Sequence, residues 1–149
     1  MTGGLALLAP GADQAHALAQ LHDRAFAGQS RPWQASEFED LLASEHVFAM
    51  GEPRAFALGR VIADEAELLT LATDPASRRQ GLARACLAGF EDEARRRGAA
   101  QAFLEVAETN GAAVALYLAA GYQQSARREG YYRLDDGKRA DALILTKKL

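Results

Sequence analysis

The stretch from Ala66 to Ala107 constrains the fold more than any other part of the chain. Ala66 to Thr73 reads as a strand. Asp74-Pro75 stops it, because proline lacks an N–H and disfavours helix in the residue before it. Helical spacing begins at Gly81: Leu82, Ala83, Cys86, Leu87, Phe90 and Ala94 fall on one face. Arg95-Arg96-Arg97 occupies the last turn as a solvated end whose cations complement the helix dipole, and Gly98 closes it. Gln101 to Ala107 reads as a second strand. Two neighbouring strands joined through a helix lie parallel, and such a crossover is right-handed.

The flanking segments supply antiparallel partners. Gly3 to Pro10 is a first strand, closed by Pro10-Gly11. Asp13 is placed to cap a helix whose apolar face runs Ala15, Leu18, Leu21, Ala25. Arg31-Pro32-Trp33 is a loop, and Ser36 with Glu39 has the spacing of a capping box for a second helix ending near Ala43. His46 to Met50 and Ala55 to Ile62 are strands, and the turn Ala63-Asp64-Glu65 folds the latter back onto Ala66 to Thr73. Asn110 is the N-cap of a helix reaching Ala120, with Gly121 past its end. Tyr122 to Tyr132 and Ala140 to Lys147 are the last strands, joined through Asp135-Asp136-Gly137. The order β-α-α-β-β-β-α-β-α-β-β describes an α/β (α+β) chain. Its mixed sheet has about seven strands, mostly antiparallel with one parallel pair, and helices on both faces.

Composition narrows the function classes. A chain of 149 residues, 49% hydrophobic and 25% charged, suits one domain spanning 1–149. A net charge of −3 supplies no basic field for nucleic acid. The lone Cys86 allows neither an internal disulfide nor a CxxC metal pair, which fits a reducing, cytoplasmic setting. Its place on the apolar helix face makes it core rather than a nucleophile. His16, His22 and His46 lack metal spacing and read as surface or helix-packing residues, so no metal is expected. No apolar run approaches the roughly 20 residues needed to span a membrane.

The turn between Thr73 and Gly81 carries the first chemistry. A helix start presents unpaired N–H groups and a partial positive charge. Gly81 lets an anion approach the backbone, and Arg79 and Arg84 add full charges. Read alone, the turn is an anion site or a plain strand–helix connection with solvated arginines. GxxxxGK[ST] and GxGxxG are both absent, so neither a Walker loop nor a dinucleotide fold is indicated.

Arg78-Arg79-Gln80-Gly81-Leu82-Ala83 resembles the (Q/R)xxGx(G/A) motif of the GNAT superfamily of N-acetyltransferases, and the strand order is similar to theirs. Leu104-Glu105-Val106, Asn110, Ala115-Leu116-Tyr117, Gly121-Tyr122, Arg127-Arg128, Tyr131-Tyr132 and Pro32-Trp33 together resemble the RimI type, the ribosomal-protein alanine N-acetyltransferases. Ala83 stands where glycine is commoner, and Ala107 where the RimI type often carries arginine. The resemblance implies acetyl-CoA as cosubstrate. Leu71, Ala72 and Thr73 would run beside its pantetheine arm. The amides of Arg79, Gln80, Gly81, Leu82, Ala83 and Arg84 would meet its pyrophosphate, and Asn110 would touch the arm. It implies a protein N-terminus or another primary amine as acceptor, and a monomer or homodimer.

Acetyl transfer from a thioester to an amine requires an amine that has lost a proton, a stabilised oxyanion and a protonated leaving thiolate. Glu105 sits mid-strand with Phe103 and Ala107 on its face. Burial among apolar neighbours would suit it as a base, and exposure would make it an ordinary strand carboxylate. The resemblance gives Glu105 the role of general base and Tyr117 that of general acid. Tyr117 is otherwise a core aromatic, and Tyr122 is structural. A backbone N–H at Ala72 or Thr73 would meet the oxyanion. Trp33, Tyr131 and Tyr132 are candidates for an acceptor groove, and Arg127 and Arg128 could meet acidic groups on a peptide. Two other functions fit the same residues: acetylation of a small amine, and a non-catalytic coenzyme A-binding module.

Overall fold

The computed structural model describes residues 5–27, 32–134 and 136–149. Gly3, Gly4, Arg31 and Asp135, which figure in the expectations above, lie outside the described residues. The chain runs β1 (Ala6–Leu8), α1 (Ala12–Ala25), α2 (Ala35–Ala43), β2 (Val47–Glu52), β3 (Ala55–Ile62), β4 (Glu65–Thr73), α3 (Leu82–Arg96), β5 (Gln101–Ala107), α4 (Gly111–Ala119), β6 (Gln123–Arg133) and β7 (Arg139–Lys148). A single 3-10 turn, Pro75–Ser77, follows β4. The sheet has seven strands in the order β1-β2-β3-β4-β5-β7-β6, and among these only β4 and β5 pair in parallel. The expected fold class, strand number and crossover are therefore present.

Two apolar clusters cover opposite faces. α3 and α4 pack over residues such as Phe48, Ala57, Leu68, Leu104, Val106 and Leu145. α1 and α2 cover Val47, Ala49, Phe56, Leu58 and Ala72, all from β2, β3 and β4. Close approach of α3 to the sheet depends on Gly59, where an added Cβ would lie 2.6 Å from the Phe90 ring.

Several local expectations are corrected. Gly11, not Asp13, is the N-cap of α1, and Asp13 lies in its first turn, where a carboxylate suits the dipole. The capping box of α2 is Gln34 with Glu37 rather than Ser36 with Glu39, and the Glu37 carboxylate accepts the Gln34 N–H at 3.0 Å. The arginines at the end of α3 are not simply solvated. Arg97 lies over the Phe48 ring at 4.7 Å and donates to the buried Glu93 at 2.9 Å.

Two irregularities open the sheet. In the β3–β4 pairing Leu58 faces Thr70 while Gly59 faces Leu68, so Leu69 is an extra residue in β4. The extra residue exchanges faces: Ala66 and Leu68 pack with the α3 cluster, whereas Leu69 and Ala72 pack with the α1–α2 cluster. Just there β4 and β5 part. Their pairing runs from Glu65↔Gln101 to Leu68↔Leu104 and stops, while β4 stays on β3 through Thr73 and β5 stays on β7 through Ala107.

Candidate active site

The gap between the parted strands is a cleft of about 540 Å³. Leu68, Leu69, Thr70 and Leu71 form one wall, and Glu105, Val106, Ala107, Thr109 and Asn110 form the other. Tyr117 and Ala113 of α4 also line it, as do His22, Phe26, Trp33, Tyr132 and Leu134. Of the residues singled out above, Leu71, Glu105, Asn110, Tyr117, Trp33 and Tyr132 thus meet in one place. Ala72 and Thr73 do not line the cleft. The β4 wall is Leu68 to Leu71, starting where the pairing with β5 ends. Tyr131 is also outside the lining. It is half exposed and stands edge-on to Tyr132, with ring centres 5.2 Å apart.

Glu105 is not enclosed by apolar groups. Its side chain is 28% exposed and the Arg128 guanidinium stands 3.5 Å from its carboxylate. Of the two surroundings open to it in the sequence, burial or exposure, the structure gives a partly exposed one: the cluster under α1 and α2 takes its buried strand residues from β2 to β4 and none from β5. Tyr117 is only 7% exposed, and burial raises its phenol pKa far above the usual value. It therefore keeps its proton at neutral pH. Burial, with Glu105 and Tyr131 adding, pushes Tyr132 up to about 12. Cys86 is wholly buried in the core, with its thiol pushed up to about 12 by burial, so it offers no thiolate.

His22 is the lining residue that sequence reasoning undervalued. It is 3% exposed, stacks on Trp33 at 4.9 Å and touches Phe26 and Phe38. Its Nδ1 is buried with no hydrogen-bond partner among the described residues. Burial lowers its pKa to about 4, against which Asp23 and Glu37 pull weakly, so the ring is neutral at neutral pH. The signal was its i, i+4 spacing from Leu18 on the buried face of α1.

The expected anion site is the turn after β4. Asp74 caps the 3-10 turn through the Ala76 N–H at 3.0 Å and pairs with Arg24 at 3.3 Å. Arg78 donates to the Ala25 carbonyl at 3.0 Å, tying the turn to the end of α1. Gln80 accepts from Arg54, which is itself forked onto Glu52. Arg79 and Gly81 both adopt left-handed backbone, with φ of 65° and 77°. No side chain caps α3, so its first N–H groups remain open, and a Cβ added at Gly81 would meet nothing within 4 Å. Arg79 and Arg84 carry no hydrogen bond or ion pair among the described residues. This fits an anion held by backbone N–H groups with two uncommitted cations beside it. Asn110 caps α4 through the Ala113 N–H at 3.3 Å while lining the cleft.

Arg127 is committed elsewhere. Its guanidinium binds Glu108 at 2.7 Å and Asp141 at 2.5 Å, so it is not free to meet an acidic peptide. Asp141 in turn accepts the Gly130 N–H at 2.9 Å, where three β6 residues face one of β7. This brace sits in the bulge between Arg128 and Tyr132, of which Tyr132 lines the cleft and Arg128 approaches Glu105.

Comparisons with known proteins identify the family. A ribosomal-protein alanine N-acetyltransferase of Escherichia coli is 45% identical over 95 residues, a match spanning 64% of this chain and 64% of that relative. The chain thus matches under two thirds of that relative's length. The N-alpha-acetyltransferase RimI of Mycobacterium tuberculosis is 34% identical over 125 residues, or 78% of this chain and 77% of the relative. The crystal structure of the Escherichia coli ribosomal-protein alanine N-acetyltransferase superposes with a TM-score of 0.83 at 34% identity, covering 97% of this chain and 93% of that one. Residues 15–122 match the model of the acetyltransferase (GNAT) family, and the chain belongs to that family.

Proposed function

We propose that this protein moves an acetyl group from acetyl-CoA to the α-amino group at a protein N-terminus, with a ribosomal protein as acceptor, in a cytoplasmic setting. The observation that carries the reading is the meeting of Glu105 and Tyr117 in the one cleft that opens where β4 and β5 part. The likeness to ribosomal-protein alanine N-acetyltransferases supports the choice of acceptor.

The donor lies with its pyrophosphate on the open N–H groups of α3 and its pantetheine arm along Leu71 and Asn110. The acetyl carbonyl reaches the cleft, where a backbone N–H of the Leu69 to Leu71 stretch meets the developing oxyanion. The acceptor arrives from the side of Trp33 and Tyr132. An α-ammonium has an ordinary pKa of about 7.7–8.0, so its proton leaves with modest help. Glu105, the one carboxylate among the described lining residues, takes that proton. The amine attacks the carbonyl carbon, the C–S bond breaks, the buried Tyr117 phenol gives its proton to the departing thiolate, and the second proton shed by the acylated nitrogen restores the phenol. With Cys86 buried and protonated, transfer is direct, within one ternary complex.

The test is acetylation of an amine panel: peptides beginning Ala-Arg or Ser-Arg, a lysine peptide with a blocked N-terminus, and polyamines. Turnover confined to free peptide N-termini is expected. Turnover confined to polyamines would establish the small-amine reading instead.

A further inference from the structure

Glu105 belongs to two cavities. It lines the transfer cleft, and it also lines a second cavity of about 330 Å³ with Glu67, Phe103, Leu104, Arg128 and Ile144. These residues lie on the part of the sheet that α1 and α2 leave uncovered. Phe103 and Glu105 share one face of β5, and Ile144 of β7 pairs directly with Glu105. Phe103 and Ile144 are half-buried with no helix over them. The acids of the groove are already matched: Glu67 pairs with Arg60 at 2.6 Å and Glu105 with Arg128 at 3.5 Å. Beside these pairs the groove offers the apolar surface of Phe103 and Ile144.

Resting on the function proposed above, we infer that the acceptor chain continues from Glu105 into this groove and places its third side chain on Phe103 and Ile144. The register follows from strand geometry. An extended chain advances about 3.3 Å per residue, as does β5 beneath it. An amine held at Glu105 therefore puts the residue two steps along the acceptor level with Phe103, two steps along the strand, and on the same side. An apolar or aromatic third residue fits the paired charges and bare carbons of the groove. A carboxylate there would stand beside the like charges of Glu67 and Glu105 and set Arg128 between competing acids. The groove thus favours a peptide over a free small amine, and one kind of peptide over others.

The experiment compares Ala-Ser-Phe and Ala-Ser-Asp peptides, with alaninamide as an acceptor too short to reach Phe103. The native protein is expected to prefer the Phe peptide by about tenfold in kcat/KM, the scale of burying part of one apolar side chain. Phe103→Ser, and independently Ile144→Ser, should erase that preference while leaving turnover of alaninamide and the KM for acetyl-CoA unchanged. Equal use of both peptides by the native protein, or a preference that survives both substitutions, overturns the inference and leaves the proposed function standing. If no free N-terminus is acetylated at all, the proposed function falls first. If light scattering shows a dimer that Ile144→Ser dissociates, a second copy of this chain covers the groove, and the inference is wrong.

Discussion

In the proposed reaction Glu105 and Tyr117 divide the proton work between a partly exposed strand and a closed interior. Glu105→Gln removes the acceptor of the amine proton and is expected to lower kcat/KM by about a hundred- to ten-thousand-fold near neutral pH. An unchanged rate at every pH would contradict the assignment. Tyr117→Phe keeps the ring that packs 6.0 Å from Tyr122 and deletes only the phenolic proton, so kcat should fall while thermal stability barely moves. His22 acts on stability instead. Its folded pKa of about 4 lies below the 6.5 of an exposed histidine. The unfolded chain therefore binds more protons between those values, and stability falls as pH drops through that window, by roughly 3 kcal/mol at the lower end. Above pH 6.5 the effect is absent. Thermal melts from pH 7 to 4 should show this slope, and His22→Phe should flatten it.

At the level of elements, the turn from Thr73 to Leu82 does the most work. Gly81→Ala forces a methyl-bearing residue into left-handed backbone, at about 1–2 kcal/mol, and puts that methyl in the open space over the helix start. The KM for acetyl-CoA should rise steeply with the acceptor KM unmoved, measured by initial rates at saturating partner. Gly59→Ala tests packing alone: its Cβ would press on Phe90, costing about 1–3 kcal/mol in a denaturant melt with little change in KM. These elements were largely legible in the sequence. β3 and β5 begin and end where alternation and turn residues put them, and Asn110 caps α4 as read. The capping box of α2 was misplaced because Gln34/Glu37 and Ser36/Glu39 share the same spacing. The stacking of Trp33 on His22, which local pattern does not encode, accompanies the earlier start.

In the whole molecule, the proposed function depends on a sheet in which β4 and β5 part. The parallel crossover could be read from Ala66 to Ala107. The extra residue at Leu69 could not, because one bulge in a run of Leu68-Leu69-Thr70-Leu71 leaves the apolar pattern intact while reversing which cluster each side chain joins. The half-open state of Glu105 was equally hidden. It depends on how far α1 and α2 reach across the sheet, and that is set by tertiary packing. So the donor turn was visible as a motif, while the cleft wall, the engagement of Arg127 and the place of His22 emerged only with the fold. The most direct test of the account is mass-spectrometric location of the acetyl group on a peptide offering both a free N-terminal alanine and an internal lysine. The protein is predicted to acetylate the α-amine alone, in a reaction that Glu105→Gln and Tyr117→Phe each suppress. Acetylation of the lysine, or of neither amine, would contradict it.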